Sequence, residues 1–329
     1  MTTAAANAQD VKMAPRRLGH ANLFVGELQR SMHFYNKVCG LEIVRLEPEI
    51  EAGFLTAGAT HHDVGLMQAS NKPRVGLGGH VQIPTGRGSV AGLNHFGWEM
   101  ENEAQLVAAF RRARDLGLKI HRTTDHQISH SVYLFDPDGN LNEFYADAVE
   151  DWRTIFNLER EELVSGHWDP DAAEPSTKSN YLAEPVIKQV EGAVFNPIRI
   201  THAIMVADKF DEMREFYTRT AGLTPIEESA GKYVTMRAAA GEFDLALVPK
   251  RSGLNPGLLL IAFRLSEQND IDRCEAALRK AGVVIDRIVN VPGKRGIVIN
   301  DPDGIVIELY QPTESYRPLT MVNVEPYIS

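Results

Sequence analysis

The tetrapeptide Asp-Pro-Asp-Gly occurs twice, at Asp136–Gly139 and Asp301–Gly304, and each copy is followed by a glutamate, Glu143 or Glu308. A turn motif that returns with the same sequel points to a duplicated chain. The first copy lies inside Ser129–Tyr145, which reads as strand, tight turn, strand. Val132, Leu134 and Phe135 supply β-forming bulk, and Gly139 is free to take a positive φ in the turn. Glu143 is the anomaly: a carboxylate between Asn142 and Phe144 is costly to bury unless a cation meets it. A metal ion is the simplest such cation.

The chain falls into four copies of one order, strand, helix and three strands. The first opens at residues 18–25, with a helix over Glu27–Val38 whose apolar face is Leu28, Met32, Phe34, Tyr35 and Val38, ended by Gly40. Strands are expected at Leu41–Leu46, Gly53–Ala57 and His62–Gln68. Residues 70–91, rich in glycine and proline, read as a loop. The second copy has a strand at Leu93–Met100, a helix at Asn102–Leu116, and strands at Leu118–Arg122, His130–Phe135 and Asn140–Ala146. The third begins at Arg199–Val206 with a helix at Asp208–Thr220; the fourth begins at Leu258–Leu265 with a helix at Gln268–Ala281 and ends with Gly296–Asn300 and Ile305–Tyr310. His20-Ala21 is echoed by His202-Ala203. The expected fold is α+β, four βαβββ repeats forming two tandem modules. Residues 1–15 are expected as a flexible tail, 16–147 as the metal-binding module, and 148–197 as a connector with a short helix. Residues 198–312 follow as a module with a degenerate site, and 313–329 as a second tail.

At 329 residues there is chain enough for two domains. A net charge of −10 and the lack of a basic run argue against a nucleic-acid surface. Cys39 and Cys274 are too far apart in sequence to suggest a thiolate site or a disulfide framework. No apolar run reaches the ~18 residues of a membrane span, and none near Met1 suggests a signal peptide. A cytoplasmic protein is expected.

His20, His95 and Glu143 fall at equivalent places in the first two repeats. Two neutral imidazoles and a carboxylate on one face leave positions open on an octahedral metal, which suits Fe(II) and also admits Mn(II). Tyr133 stands ten residues before Glu143, on the neighbouring strand. In the second module Leu260 occupies the place of His95, and Val298 that of Tyr133, so that module reads as structural. His61-His62-Asp63 looks like a metal cluster. On a regular strand, however, His61 and His62 point to opposite faces, and they are read as structural or interface residues.

At these residues the chain resembles the vicinal oxygen chelate superfamily and, within it, the type I extradiol ring-cleavage dioxygenases. The superfamily likeness runs from about Arg16 to Gln311. The dioxygenase likeness is sharpest from Gly78 to Trp168. The resemblance implies Fe(II) held by His20, His95 and Glu143, and a hydrogen bond from Tyr133 to the metal-bound substrate. The acid–base histidine is implied to be His80 or His126, the latter in Asp125-His126-Gln127-Ile128-Ser129. Phe96, Trp98 and His130 are expected to line or back the aromatic pocket. The implied reaction opens a catechol beside its diol, inserting both atoms of O2 to give a semialdehyde. The implied partners are a small aromatic substrate and O2, with a homo-oligomer on family grounds. One departure stands out: in familiar two-module members the metal lies in the C-terminal module, and here the intact set is N-terminal. The rivals are a glyoxalase-type isomerase, a hydroquinone-cleaving enzyme, a fosfomycin-type transferase and a metal-free drug-binding protein. The isomerase would want a glutamate in Asp63–Gln68, which has none.

Overall fold

In the computed structural model, which describes residues 10–313 and Tyr327, strand β1 (Arg17–Val25) turns into helix α1 (Leu28–Lys37). The Glu27 side chain caps that helix by accepting from the backbone N–H groups of Gln29 and Arg30. Strands β2 (Glu42–Glu47), β3 (Ala52–Thr56) and β4 (Val64–Gln68) complete the first repeat. A hairpin of β5 (Arg74–Val75) and β6 (Val81–Ile83) follows within the stretch expected as a loop. The second repeat is β7 (Gly92–Glu99), α2 (Glu103–Asp115), β8 (Ile120–Asp125), β9 (Ser129–Phe135) and β10 (Leu141–Asp147), with Asn102 capping α2. The short helix of the connector is α3 (Trp152–Phe156).

The second half repeats this plan. β11 (Pro197–Ala207) leads into α4 (Phe210–Glu215), whose last residues run on as a π turn to Thr220. β12 (Thr224–Ser229), β13 (Tyr233–Arg237) and β14 (Leu245–Pro249) follow. The last repeat is β15 (Gly257–Leu265), α5 (Ile271–Lys280), β16 (Ile285–Val291), β17 (Lys294–Asn300) and β18 (Val306–Pro312). Strand β16 has a weak signature in the sequence, because Ile285 and Val291 flank a run broken by Asp286, Arg287 and Asn290.

Each half forms one eight-stranded mixed sheet, in the order β2-β3-β4-β1-β7-β10-β9-β8 and β12-β13-β14-β11-β15-β18-β17-β16. The two repeats of a half meet at their first strands, β1 against β7 and β11 against β15, both antiparallel. The chain thus forms two tandem modules of βαβββ repeats. Residues 10–15, expected to be loose, are fixed: the N–H groups of Lys12, Met13 and Ala14 bond to the carbonyls of Arg219, Thr220 and Ala221, and Val11 and Met13 are buried. The rest of both expected tails, 1–9 and nearly all of 314–329, lies outside the described residues.

One hydrophobic core joins the modules, with Leu18, Phe96, Trp98 and Phe144 from the first and Ile200, Met205, Tyr217 and Phe263 from the second. Buried aspartates stitch the same boundary in both directions. Asp63 accepts from the Ile200 N–H at 2.7 Å, and Asp244 accepts from the Leu18 N–H at 2.8 Å. The turn motifs do likewise. Asp138 accepts from the N–H groups of Asp208 and Lys209 at 2.7 and 3.0 Å, and Asp303 from Gly26 N–H at 2.9 Å. Asp136 lies 3.1 Å from the Tyr217 hydroxyl, and Asp301 lies 3.2 Å from that of Tyr35. The repeated tetrapeptide therefore fastens each module to the other as well as turning the chain.

Candidate metal centre

A β-bulge between Leu18 and His20, where β1 meets β7, aims the two residues at opposite faces: Leu18 enters the shared core and His20 the other side. On β7 the alternation sends Phe96 and Trp98 to the core and His95 and Gly97 to the site face. Gly97 is required there. A Cβ on it would lie 2.0 Å from His20 Nε2. On β10, Glu143 faces the site while Asn142 faces the core and accepts from Trp98 Nε1–H at 2.9 Å.

His20, His95 and Glu143 converge. Glu143 Oε2 is 2.9 Å from His20 Nε2 and 3.1 Å from His95 Nε2. The other oxygen, Oε1, is held by two hydroxyls, Ser131 Oγ–H donating at 2.6 Å and Tyr133 O–H at 2.7 Å. One carboxylate oxygen is thus oriented from behind and the other presented to the imidazoles. Burial pushes the His20 imidazolium down to about 4 and lowers His95 as well, against the pull of Glu143. Burial alone would raise Glu143, but the contacts from His20 and His95 outweigh it and hold its carboxyl well below the usual range. Two neutral imidazoles and an ionised carboxylate are the protonation states that metal ligands need. His20 Nδ1 and His95 Nδ1 have no hydrogen-bond partner among the described residues. The trio is buried and its ligand atoms lie within 4.8 Å of one another, so it could hold a divalent metal ion.

The site opens into a pocket of about 790 Å³, its mouth included, lined by His95, Glu143, Tyr133 and His126 and by the apolar Phe54, Met67 and Ile83. His126 comes from the tight turn between β8 and β9, where Gln127 adopts a φ of 63°. Its Nε2 is 3.0 Å from the Tyr133 hydroxyl and its Nδ1 3.0 Å from Ser165 Oγ. Burial pushes its imidazolium down to about 4. Burial, and then the charge of Glu143, push the Tyr133 phenol well up.

Four residues expected at the pocket sit elsewhere. His80 lies in the turn of the β5–β6 hairpin and is absent from the wall. Phe96 and Trp98 fill the core on the opposite face of β7. His130 stacks on Trp168 at 4.7 Å and meets Glu103 Oε1 at 2.7 Å. Strand parity explains the last three placements: on β7 Phe96 and Trp98 alternate with His95 and Gly97 and turn to the core, and on β9 residues 129, 131 and 133 turn to the site while 130 turns away.

His61 and His62 also depart from expectation, and again the cause is strand geometry. Strand β4 begins only at Val64, so the two precede the regular alternation and both rings reach the pocket wall. With His20 they form a second group with ligand atoms within 4.8 Å. His62, however, stacks on His20 with ring centroids 4.1 Å apart, which keeps the two from pointing at one ion in the plane of both rings. Parity with Tyr133 is the signal that reveals Ser131; nothing in the sequence marks His61 and His62 as wall residues.

The second module carries the same frame with different contents. Register places His202 opposite Ala262 and Glu308 opposite Ala262 and Val298, so Leu260 stands where His95 does. Lys294, at the place of Ser129, puts its Nζ 2.7 Å from Glu308 Oε1 and is fully buried. Burial would raise Glu308, but Lys294 and His202 bring its carboxyl down to about 2.

Comparison with known proteins fits this geometry. The chain is 25% identical over 292 residues to a catechol-2,3-dioxygenase of Bacillus subtilis, covering 83% of this chain and 91% of that one. Among solved structures it superposes on the Mn(II)-bound glyoxalase from Novosphingobium aromaticivorans with a TM-score of 0.63 at 17% identity, covering 93% of this chain and 85% of that one. It superposes equally on a 2,3-dioxygenase from Pseudomonas sp. KL28, TM-score 0.63 at 18% identity, covering 93% and 96%. The family profile described as "Glyoxalase/Bleomycin resistance protein/Dioxygenase superfamily" matches residues 17–144 and 199–309, one match for each module, and the chain belongs to that superfamily.

Proposed function

We propose that the first module is an Fe(II)-dependent extradiol dioxygenase that opens a catechol-type ring with both atoms of O2, giving a semialdehyde. The observation that carries this is the convergence of His20, His95 and Glu143, the last two in the wall of a pocket that Tyr133 and His126 also line. The likeness to a catechol-2,3-dioxygenase over most of both chains supports the same reading. A bound Fe(II), or Mn(II) in its place, would anchor the diol and O2 side by side and let charge pass from the ring to oxygen.

The chain's own residues do the rest. The apolar lining side chains Phe54, Met67 and Ile83 receive the ring and exclude water. Tyr133, already tied to Glu143 Oε1 and to His126, orients a diol oxygen by hydrogen bonding. His126 is neutral at pH 7, since burial keeps its imidazolium near 4. It is therefore free to accept a phenolic proton, and an adjacent diolate raises its affinity for that proton until it is returned. His80, away from the wall, is left out of this role.

The test is oxygen uptake by protein loaded anaerobically with Fe(II), offered catechols and hydroquinones, with His95→Ala alongside. Uptake with a yellow ring-opened product, absent in the variant, is the expected result. Stoichiometric Fe(II) binding with no uptake on any diol would overturn ring cleavage and favour isomerase chemistry.

A further inference from the structure

We propose that the second module carries a binding site for a para-substituted phenol, and that the chain's own Tyr327 is its occupant. The inference stands apart from the ring-cleavage reading, since it concerns the other module.

Strand parity builds the site. On β18 Ile307 and Leu309 enter the core that joins the modules, while Glu308 and Tyr310 face the other way. On β15 Ile261 and Phe263 enter that core, and Leu260 and Ala262 face away from it. The outward face carries its own apolar cluster, with Ile204, Val206, Phe243, Ala246, Val248 and Leu260. His202 is set against it, its ring 4.5 Å from that of Phe243. The equivalent face of the first module carries Glu143 and lines the pocket. Here it is more apolar: Ile204 stands where Asn22 does, and Leu260 where His95 does. Tyr327 packs on this cluster. Arg287, on β16, holds its guanidinium Cζ 5.0 Å from the centre of the Tyr327 ring.

The polar end is equally specific. Glu308 is fully buried. Its Oε1 is 2.7 Å from Lys294 Nζ. Its Oε2 is 3.7 Å from His202 Nε2, beyond hydrogen-bond range, and has no hydrogen-bond partner among the described residues. The Tyr327 hydroxyl is likewise buried and without such a partner. Burial, and then the charge of Glu308, push the Tyr327 phenol well up, which places the hydroxyl beside that carboxylate.

A buried carboxylate oxygen without a donor is costly. Lys294 already balances the charge of Glu308, so the donor that fits is a neutral O–H. A phenol brings that donor at one end and an aromatic face for the apolar wall and for Arg287 at the other. Tyr327 presents its hydroxyl to Glu308, and its para carbon leads back to the backbone. A ligand taking its place is therefore a phenol whose substituent is para to the hydroxyl. A ring tethered to the chain stops short of a hydrogen bond of ordinary geometry; a free phenol is not so held.

The experiment is calorimetric titration of the full chain with 4-methylphenol, which is the tyrosine side chain without its backbone, and with toluene, which lacks the hydroxyl. Wild type, Tyr327→Ala and Tyr327→Phe are compared, together with Tyr327→Ala combined with Lys294→Met and Glu308→Leu. Tyr327→Ala is expected to bind a further equivalent of 4-methylphenol that the wild type does not, about 10-fold or more tightly than toluene, the scale of a hydrogen bond to a charged acceptor. Tyr327→Phe keeps a ring in the site and should bind no further equivalent. Removing the ion pair as well should bring 4-methylphenol and toluene within about threefold of each other. Whatever the first module does with either probe is common to all these proteins and cancels in the difference, so failure of the ring-cleavage reading leaves this result intact. No further equivalent in Tyr327→Ala, a further equivalent in Tyr327→Phe as well, or toluene bound as tightly as 4-methylphenol by Tyr327→Ala would each overturn the inference.

Discussion

The two modules solve one electrostatic problem in two ways. Each buries a glutamate at the centre of its sheet, Glu143 or Glu308, with a histidine of the opening strand beside it. In the second module a lysine supplies the positive charge: Lys294 Nζ sits 2.7 Å from Glu308. In the first, no side-chain ammonium among the described residues pairs with the carboxylate. Ser129 stands at the place of Lys294, Ser131 and Tyr133 hold the back of the carboxylate, and His95 replaces Leu260. The built-in cation closes one site. The neutral imidazoles leave the other carboxylate without a built-in cation, in a trio that could hold a divalent metal ion.

The most severe way to break this contrast is Glu143→Gln. It should abolish stoichiometric metal binding and all oxygen uptake, while Glu308→Gln leaves the metal content unchanged; elemental analysis after gel filtration decides. If Glu308→Gln also removes metal, the modules are not divided as described. Next in size is Lys294→Met, which strands a buried carboxylate and should cost about 3–5 kcal/mol in denaturant unfolding. Lys294→Met combined with Glu308→Leu should recover most of that loss, and failure to recover would mean that packing, not charge, is at stake.

The pair also sets an acid limb. Glu308 titrates near 2 when folded against 4.5 as the ordinary value. Its folded pKa is depressed, so its contribution is complete above pH ~4.5 and is lost as pH falls toward ~2, at ~1.4 kcal/mol for each pH unit crossed. The Lys294→Met, Glu308→Leu double variant should show a shallower fall in stability over that window. The smallest expected effect is that of Ser131→Ala. Releasing one hydroxyl from Glu143 Oε1 should weaken Fe(II) affinity about 10- to 100-fold without changing the fold, the usual cost of removing such a support. Chelator competition measures it, and Gly296, which already stands at the equivalent place in the second module, offers no comparable hydroxyl to remove.

Much of this is legible because the repeat aligns residues with known parity. His20, His95, Glu143 and Tyr133 stand at strand positions, and strands fix facing by counting. The same counting, applied to Phe96, Trp98 and His130, places them on the far side. His61 and His62 escape it because the strand begins two residues later than its apolar pattern suggests. Lys294 escapes because a lysine at a strand start reads as exposed, and only the fold shows it lying across from Glu308.

The reciprocal aspartate clasps have a consequence for the order of the chain. Each clasp from the first module to the second has a counterpart running back: Asp63 and Asp244, Asp138 and Asp303, Tyr35 and Tyr217. An assembly held this way has no structural first half. A change in any one clasp is therefore felt on both sides of the boundary, because the aspartate it releases belongs to one module and the backbone it abandons to the other.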